Sequence, residues 1–279
     1  MVASLQNSVN TNTSALAALA SLRKVNSQLL VANKQIQTGY RVADAFDDAS
    51  TFSVAQGLRG DLQAYAAVQA SLANGVGVGS VTQAALTGIS DIVGNLQAKV
   101  TQLADGAISA AQRAIYTVDY NSLTSQISNF ISQANYNGTN LLSAGSASKT
   151  FLADVSASTL SVSSQSSVYG AFTTYNTSTV ASASEATLAL ASLSTFQTAV
   201  ATSLGQNASE SRSLTLQSSF TNTISDSITI GIGALVDADI GKASAAVQAL
   251  QVRQQLGIQS LAIANQQPSR LLGLFPSVN

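Results

Sequence analysis

Carboxylates are the first residues to weigh, because little else in this chain can move a proton. Its 279 residues include no Cys and no His, which removes disulfides, thiolate chemistry, imidazole bases and nearly all zinc sites. Asp47 and Asp48 stand side by side in "AFDDAS", and Asp237 and Asp239 stand one apart in "LVDADIGK". A shared proton or metal requires the two groups of a pair to converge. Neighbours on a helix point roughly 100° apart, so Asp47 and Asp48 diverge. Both pairs instead sit where helices should begin, where a carboxylate caps free N–H groups and complements the helix dipole. The other chemical candidate is "NGVGVGSV" at residues 74–81, which mimics a phosphate-cradling glycine loop. That loop follows a strand, whereas "DLQAYAAVQASLA" before it has a helical pattern. Close helix packing or a local bend is the reading of these glycines. Sequons at Asn137, Asn176 and Asn207 are what chance gives an Asn/Ser/Thr-rich chain. No catalytic, cofactor-binding or metal-binding residue is assigned, and no cofactor is expected.

The elements that must carry these residues come from an unusual composition. Charged residues are 9% and the net charge is -1, against about 25% charged in ordinary domains. Glu185 and Glu210 are the only glutamates. Such a surface offers little electrostatic resistance to self-association. The lysines and arginines are scattered, so no nucleic-acid footprint exists. Aromatic residues are 5% with no Trp, thin for a ligand pocket. No helix-breaking proline precedes Pro268. No window reads as a transmembrane helix, since each long uncharged run holds Gln, Asn, Ser, Thr or Gly, and no membrane insertion is expected. The amino terminus does not read as a secretory signal, because no positive residue precedes its apolar part.

A heptad-spaced seam of Leu5, Leu19, Leu22, Leu29 and Ile36, interrupted by Asn12, Asn26 and Asn33, predicts a helix choosing register against partner helices, with Gly39 as its C-cap. Further helices are expected from near Asp47 to Asp105, from Asn121 to Ala134, from Glu185 to Ile232, and from Asp237 to Gln267. "NYNG" marks a turn after the third. Residues 143–183, rich in Ser, Thr and Tyr, alternate in "LSVSSQSSVYGAFTTY" and predict short strands or a hairpin. In the last helix "QQLGIQSLAIANQ" carries no charge, and Val247, Leu250, Leu256, Leu261 and Ile263 put apolar groups on more than one side. A helix apolar around most of its girth is buried on most sides. The expected fold is therefore mainly α: a long antiparallel bundle or coiled coil formed by both chain ends, with a small β patch between.

Four stretches carry a resemblance to bacterial flagellins. "VNTNTSALAALASL" (9–22) resembles their amino-terminal signature. "IQTGYRVADAFDDAS" (36–50) is similar to their LSSGLRINSAKDDAA segment, matching at Gly39, Arg41, Asp47, Asp48 and Ala49. "NYNGTNLL" (135–142) resembles FNG-x-x-LL, and "LVDADIGKASAAVQALQVRQQLGIQSLAIANQQP" (235–268) resembles the carboxy-terminal helix. Departures are Gln37-Thr38 for Ser-Ser, Thr51-Phe52 for Gly-Leu, and the tail "LFPSVN".

The resemblance implies a non-enzymatic subunit that polymerises helically into the extracellular flagellar filament and is exported without a cleaved signal. It implies an inner domain of residues 1–43 and 236–279, a helical middle of 44–142 and 184–235, and a short outer segment at 143–183. The inner seams named above would meet neighbouring subunits, and Gly39, Arg41, Asp47, Asp48, Asp237 and Asp239 would cap helices at the junction. Implied partners are other copies of the chain, hook-associated junction and cap proteins, and an export chaperone at the carboxy-terminal helix. The alternatives are a hook–filament junction protein, and a surface adhesin binding glycans through 143–183. Asp at Ser163 or Ser178, in the outer segment, is expected to be tolerated. Strongly recognised flagellins present a segment similar to LQRVRELA to a vertebrate innate immune receptor. Here "LQAKVTQLA" (96–104) puts Lys99, Thr101 and Gln102 at the positions of its two arginines and its glutamate, which implies weak recognition.

Overall fold

The computed structural model describes residues 11–272, with side chains through 267, so Leu5 lies outside the described residues. The order is α1 (Thr13–Thr38), α2 (Ala49–Ala104), α3 (Ala110–Gln133), β1 (Lys149–Leu152), β2 (Thr159–Val162), α4 (Ser166–Asn176), α5 (Ala183–Val236) and α6 (Ile240–Leu272). The expected mainly helical fold with a small central hairpin is what forms. Two compact units result, one from residues 1–60 and 228–279, the other from 61–227.

In the first unit α1 and α6 pack together. Leu22 lies against Gly257, where an added Cβ would come within 3.2 Å of it. Asn12 caps α1 by accepting from the Ala15 N–H at 2.9 Å and donates to the Ala264 carbonyl at 2.7 Å. Gln254 donates to Asn26 Oδ1 at 2.8 Å. Partners descending on α6 as they rise on α1 make the pair antiparallel. Two seam asparagines thus set its register, as a polar seam residue does in coiled coils. Gly39 ends α1 at φ 74°, and its N–H reaches the Gln35 carbonyl. α6 continues through Pro268 to Leu272, past the expected end at Gln267; proline removes one N–H from the ladder without ending it here.

The second unit holds two apolar clusters. One joins α2 residues such as Leu86, Leu96 and Val100 to Tyr120, Ile127, Phe172, Tyr175 and Phe196. The other gathers Val68, Leu72, Leu141, Val162 and Leu214, with Tyr136 and Phe151 packed on them. The 74–81 glycines are helical and explained by packing. A Cβ at Gly75 would come within 2.9 Å of Phe151, and one at Gly77 within 2.8 Å of two Tyr136 ring carbons. α2 is long and apolar enough to cross a membrane by length and composition. That corrects the expectation that no window is; its apolar residues fill these clusters instead.

Three further expectations need correction. α3 begins at Ala110, not Asn121, because Ser109 and Gln112 form a capping box. Residues 166–176 form helix α4 rather than strand. Val168, Phe172 and Tyr175, at helical spacing, bury in the larger cluster, which overrides the Ser/Thr alternation. Lastly, Ser163 is not a bland outer position. Its N–H and Oγ donate to Glu210 at 2.8 and 2.6 Å, so Asp at 163 would set a carboxylate against a carboxylate.

Candidate assembly surface

The junction of the first unit is built from the "GYRVADAFDDAS" segment and the α5–α6 connection. Ala238 N–H donates to the Gly39 carbonyl at 2.8 Å, and the N–H groups of Arg41 and Val42 donate to the Val236 carbonyl at 2.7 and 3.2 Å. The Arg41 guanidinium reaches the Leu235 carbonyl. Val42, Ala55 and Val236 close a small core beneath this zipper, with Phe52, Ile232 and Leu235 against it.

The carboxylates here work as caps and tethers. Asp48 accepts from the Ser50 and Thr51 N–H groups at 3.1 Å and from Thr51 Oγ1 at 2.6 Å, so it starts α2. Asp239 does the same for α6, accepting from the Lys242 N–H at 3.0 Å. Asp47 takes the Ala43 N–H at 3.0 Å and, with Asp44, holds Lys34 at 2.8 and 2.7 Å. These bonds to Asp44 and then Asp47 raise the Lys34 ammonium above its usual range, and Lys34 in turn draws both carboxyls below theirs. The Thr51 hydroxyl and N–H lower Asp48 similarly. All three carboxylates are ionised at neutral pH, which suits tethering rather than proton transfer. Asp237 makes no such cap; it pairs through its backbone with Tyr40.

α6 shows two apolar faces. Ala243, Leu250 and Ala264 are buried at 5–8% exposure toward α1, with Val247 and Leu261 half-buried. At about 100° per residue, Val252, Leu256 and Ile263 fall on the opposite side, and they are 55%, 55% and 69% exposed. On α1, Leu19, Leu22, Leu29 and Ile36 are half-buried, while Leu16 and Leu30 are 58% and 71% exposed. The expected seam residues therefore divide. Most lie between the paired helices, whereas Leu256 and Ile263, with the unanticipated Val252, form a second stripe. Its i, i+4, i+11 spacing was legible.

Lys99 pairs with Asp119 at 2.9 Å and lies 5.0 Å from the Tyr116 ring centroid. Thr101 and Gln102 are exposed, and Thr101 Oγ1 donates back to the Gln97 carbonyl at 2.8 Å. Asn207 is fully buried, donating to the Gly79 carbonyl and Gln83 Oε1 at 2.9 and 2.8 Å, so its sequon is sealed.

Paired helices with a second apolar stripe exposed on α6 present a surface of the kind that binds other protein. The pattern described as the bacterial flagellin N-terminal helical region matches residues 9–147, and that of the flagellin C-terminal helical region matches 186–275. The chain is similar to flagellin FljK of Caulobacter vibrioides, 32% identical over 269 residues covering 96% of this chain and 98% of that one. It is also similar to a flagellin of Brucella melitensis, 35% identical over 283 residues covering 96% and 99%. The crystal structure of Bacillus cereus flagellin aligns at TM-score 0.49 and 20% identity, over 54% of this chain and 88% of that one. The chain belongs to the bacterial flagellin family, the structural subunits that polymerise into the extracellular flagellar filament.

Proposed function

We propose that the α1–α6 pair is the layer through which subunits bind one another, and that the chain serves the filament without catalysing a reaction. The observation that carries this reading is the stripe of Val252, Leu256 and Ile263, exposed on the side of α6 opposite its buried seam. Burying such area is worth about 25 cal/mol per Å², which offsets the ordering of both chain ends. Contacts between unlike patches that do not close on themselves give a filament rather than a ring. An export chaperone covering α6 before assembly, and hook-associated junction and cap proteins at the filament ends, would meet the same helix pair. Removing residues 240–279 should leave a soluble helical subunit that forms no filaments after seeding. Normal filaments from that truncated chain would overturn the reading.

The segment at Lys99, Thr101 and Gln102 bears on recognition by the innate immune receptor. Lysine lacks the bidentate fork of arginine, and Lys99 is already engaged by Asp119 and Tyr116. Threonine is too short to replace the second arginine, and glutamine removes the anion. Loss of such charges at an interface costs about 2–5 kcal/mol, roughly a 30-fold to several-thousandfold loss of affinity. A reporter-cell assay on depolymerised protein should show correspondingly weak activation, partly rescued by Thr101→Arg with Gln102→Glu. Potency equal to a strongly recognised flagellin would refute this.

A further inference from the structure

Phe46 is 100% exposed, so its ring touches nothing in its own subunit. It is nonetheless held in place. The Phe46 N–H donates to Asp44 Oδ1 at 2.8 Å, the Ala43 N–H donates to Asp47 at 3.0 Å, and Lys34 ties both carboxylates to α1. A large apolar ring on a loop fixed this way pays little ordering entropy on docking, and such pre-organised aromatics make effective anchors.

A receiving groove exists in the same unit. Val31 and Ala32 of α1 and Ala246, Ala249, Leu250 and Arg253 of α6 line an open surface groove of about 520 Å³. Leu250 forms a buried floor, and Val31 is 50% exposed at the wall. Charge favours the match. Residues 13–38 and 240–272 contain no Asp or Glu, and with Lys34 held by Asp44 and Asp47 the charge on the groove itself is the Arg253 guanidinium. The Phe46 loop carries Asp44, Asp47 and Asp48 against Arg41 and the tethered Lys34, which leaves it net negative.

We propose that Phe46 of one subunit inserts into the α1–α6 groove of a second copy of this chain, with the loop's carboxylates meeting the cationic side of that groove near Arg253. The contact rests on the assembly reading above and supplies it with a knob and a hole. Knob and hole lie at different places on one subunit, so the contact is heterologous, the kind that builds an open filament when its rotation does not close.

The chain holds no cysteine, so Phe46→Cys with Ala249→Cys introduces the only two thiols. Filaments of this variant, oxidised and run on a denaturing gel without reductant, should give a ladder of covalent multimers. Intact filaments that yield only monomers overturn the contact while leaving the assembly reading in place. A wild-type chain that gives no filaments overturns both. A second measurement covers a double variant that fails to assemble. Phe46→Lys should raise the critical concentration for polymerisation roughly tenfold or more, and Phe46→Leu by no more than about threefold. Equal critical concentrations for Phe46→Lys and wild type would also overturn the contact.

Discussion

Leu256→Asp should abolish filament formation while leaving the soluble subunit folded. Leu256 is 55% exposed and faces away from α1, so a carboxylate there stays in water in the free subunit and disturbs no internal packing. In the filament the same position, by the reading above, is covered by a neighbour. The substitution then forfeits the apolar burial of a leucine, about 1.5–3 kcal/mol. It also buries an unpaired charge, worth several kcal/mol more. Together these exceed about 4 kcal/mol per subunit, so the critical concentration should rise roughly a thousandfold or more. Ile263→Asp belongs to the same class. Leu22→Asp, Leu29→Asp and Leu261→Asp should also block assembly, but they strike the half-buried α1–α6 seam within one chain and so loosen the pair as well. Electron microscopy after seeding, alongside circular dichroism of the monomer, separates the two classes. Filaments of Leu256→Asp at wild-type concentrations would mean that this face of α6 looks onto solvent.

Where one residue's pattern speaks for itself, the sequence was readable. The Asn-broken heptad of α1, the Gly39 cap and the "NYNG" turn with Asn137 and Gly138 at φ 48° and 77° follow from local rules, whereas of the alternating stretch read as strand only 160–162 joins the hairpin. The start of α3 was legible too, in Ser109-x-x-Gln112, but an Ala-rich first turn carries no apolar stripe to draw attention to it. α4 was hidden because Ser, Thr and Tyr suit a strand locally, and only Val168, Phe172 and Tyr175 meeting Tyr120 and Phe196 reward a helix. The Ser163–Glu210 pairing spans 47 residues and the Lys34–Asp47 pairing bridges the end of α1 and the loop after it, and no periodicity reports either. At the assembly surface the division of seam residues depends on which side of α6 meets α1. Heptad spacing names both sides as apolar without saying which is filled from within.

The glycines of "NGVGVGS" make a last test, because helix propensity and packing pull in opposite directions there. Glycine inside a helix costs about 0.5–1 kcal/mol relative to alanine, so an unconstrained one is a stabilising target. Gly94, on the same helix α2, has nothing within 4 Å of where a Cβ would stand. Gly94→Ala should therefore stabilise the second unit by about that amount. Gly77 differs: its Cβ would meet the Tyr136 ring, with Cε1 and Cε2 both at 2.8 Å and Cζ nearer still. Tyr136 cannot swing freely, since its N–H and carbonyl both pair with Thr139 at 2.9 Å and it packs on the cluster around Leu141 and Leu214. Overpacking of this kind costs about 1–3 kcal/mol, and the branched side chain of Gly77→Val should reach the upper end. With about 2–4 °C per kcal/mol in a domain of this size, thermal melting of the soluble subunit should fall by roughly 5–10 °C for Gly77→Val. For Gly94→Ala it should rise by a few degrees. A Gly77→Val subunit that melts at or above the wild-type temperature would mean that the glycine run marks something other than close approach of Tyr136 to α2.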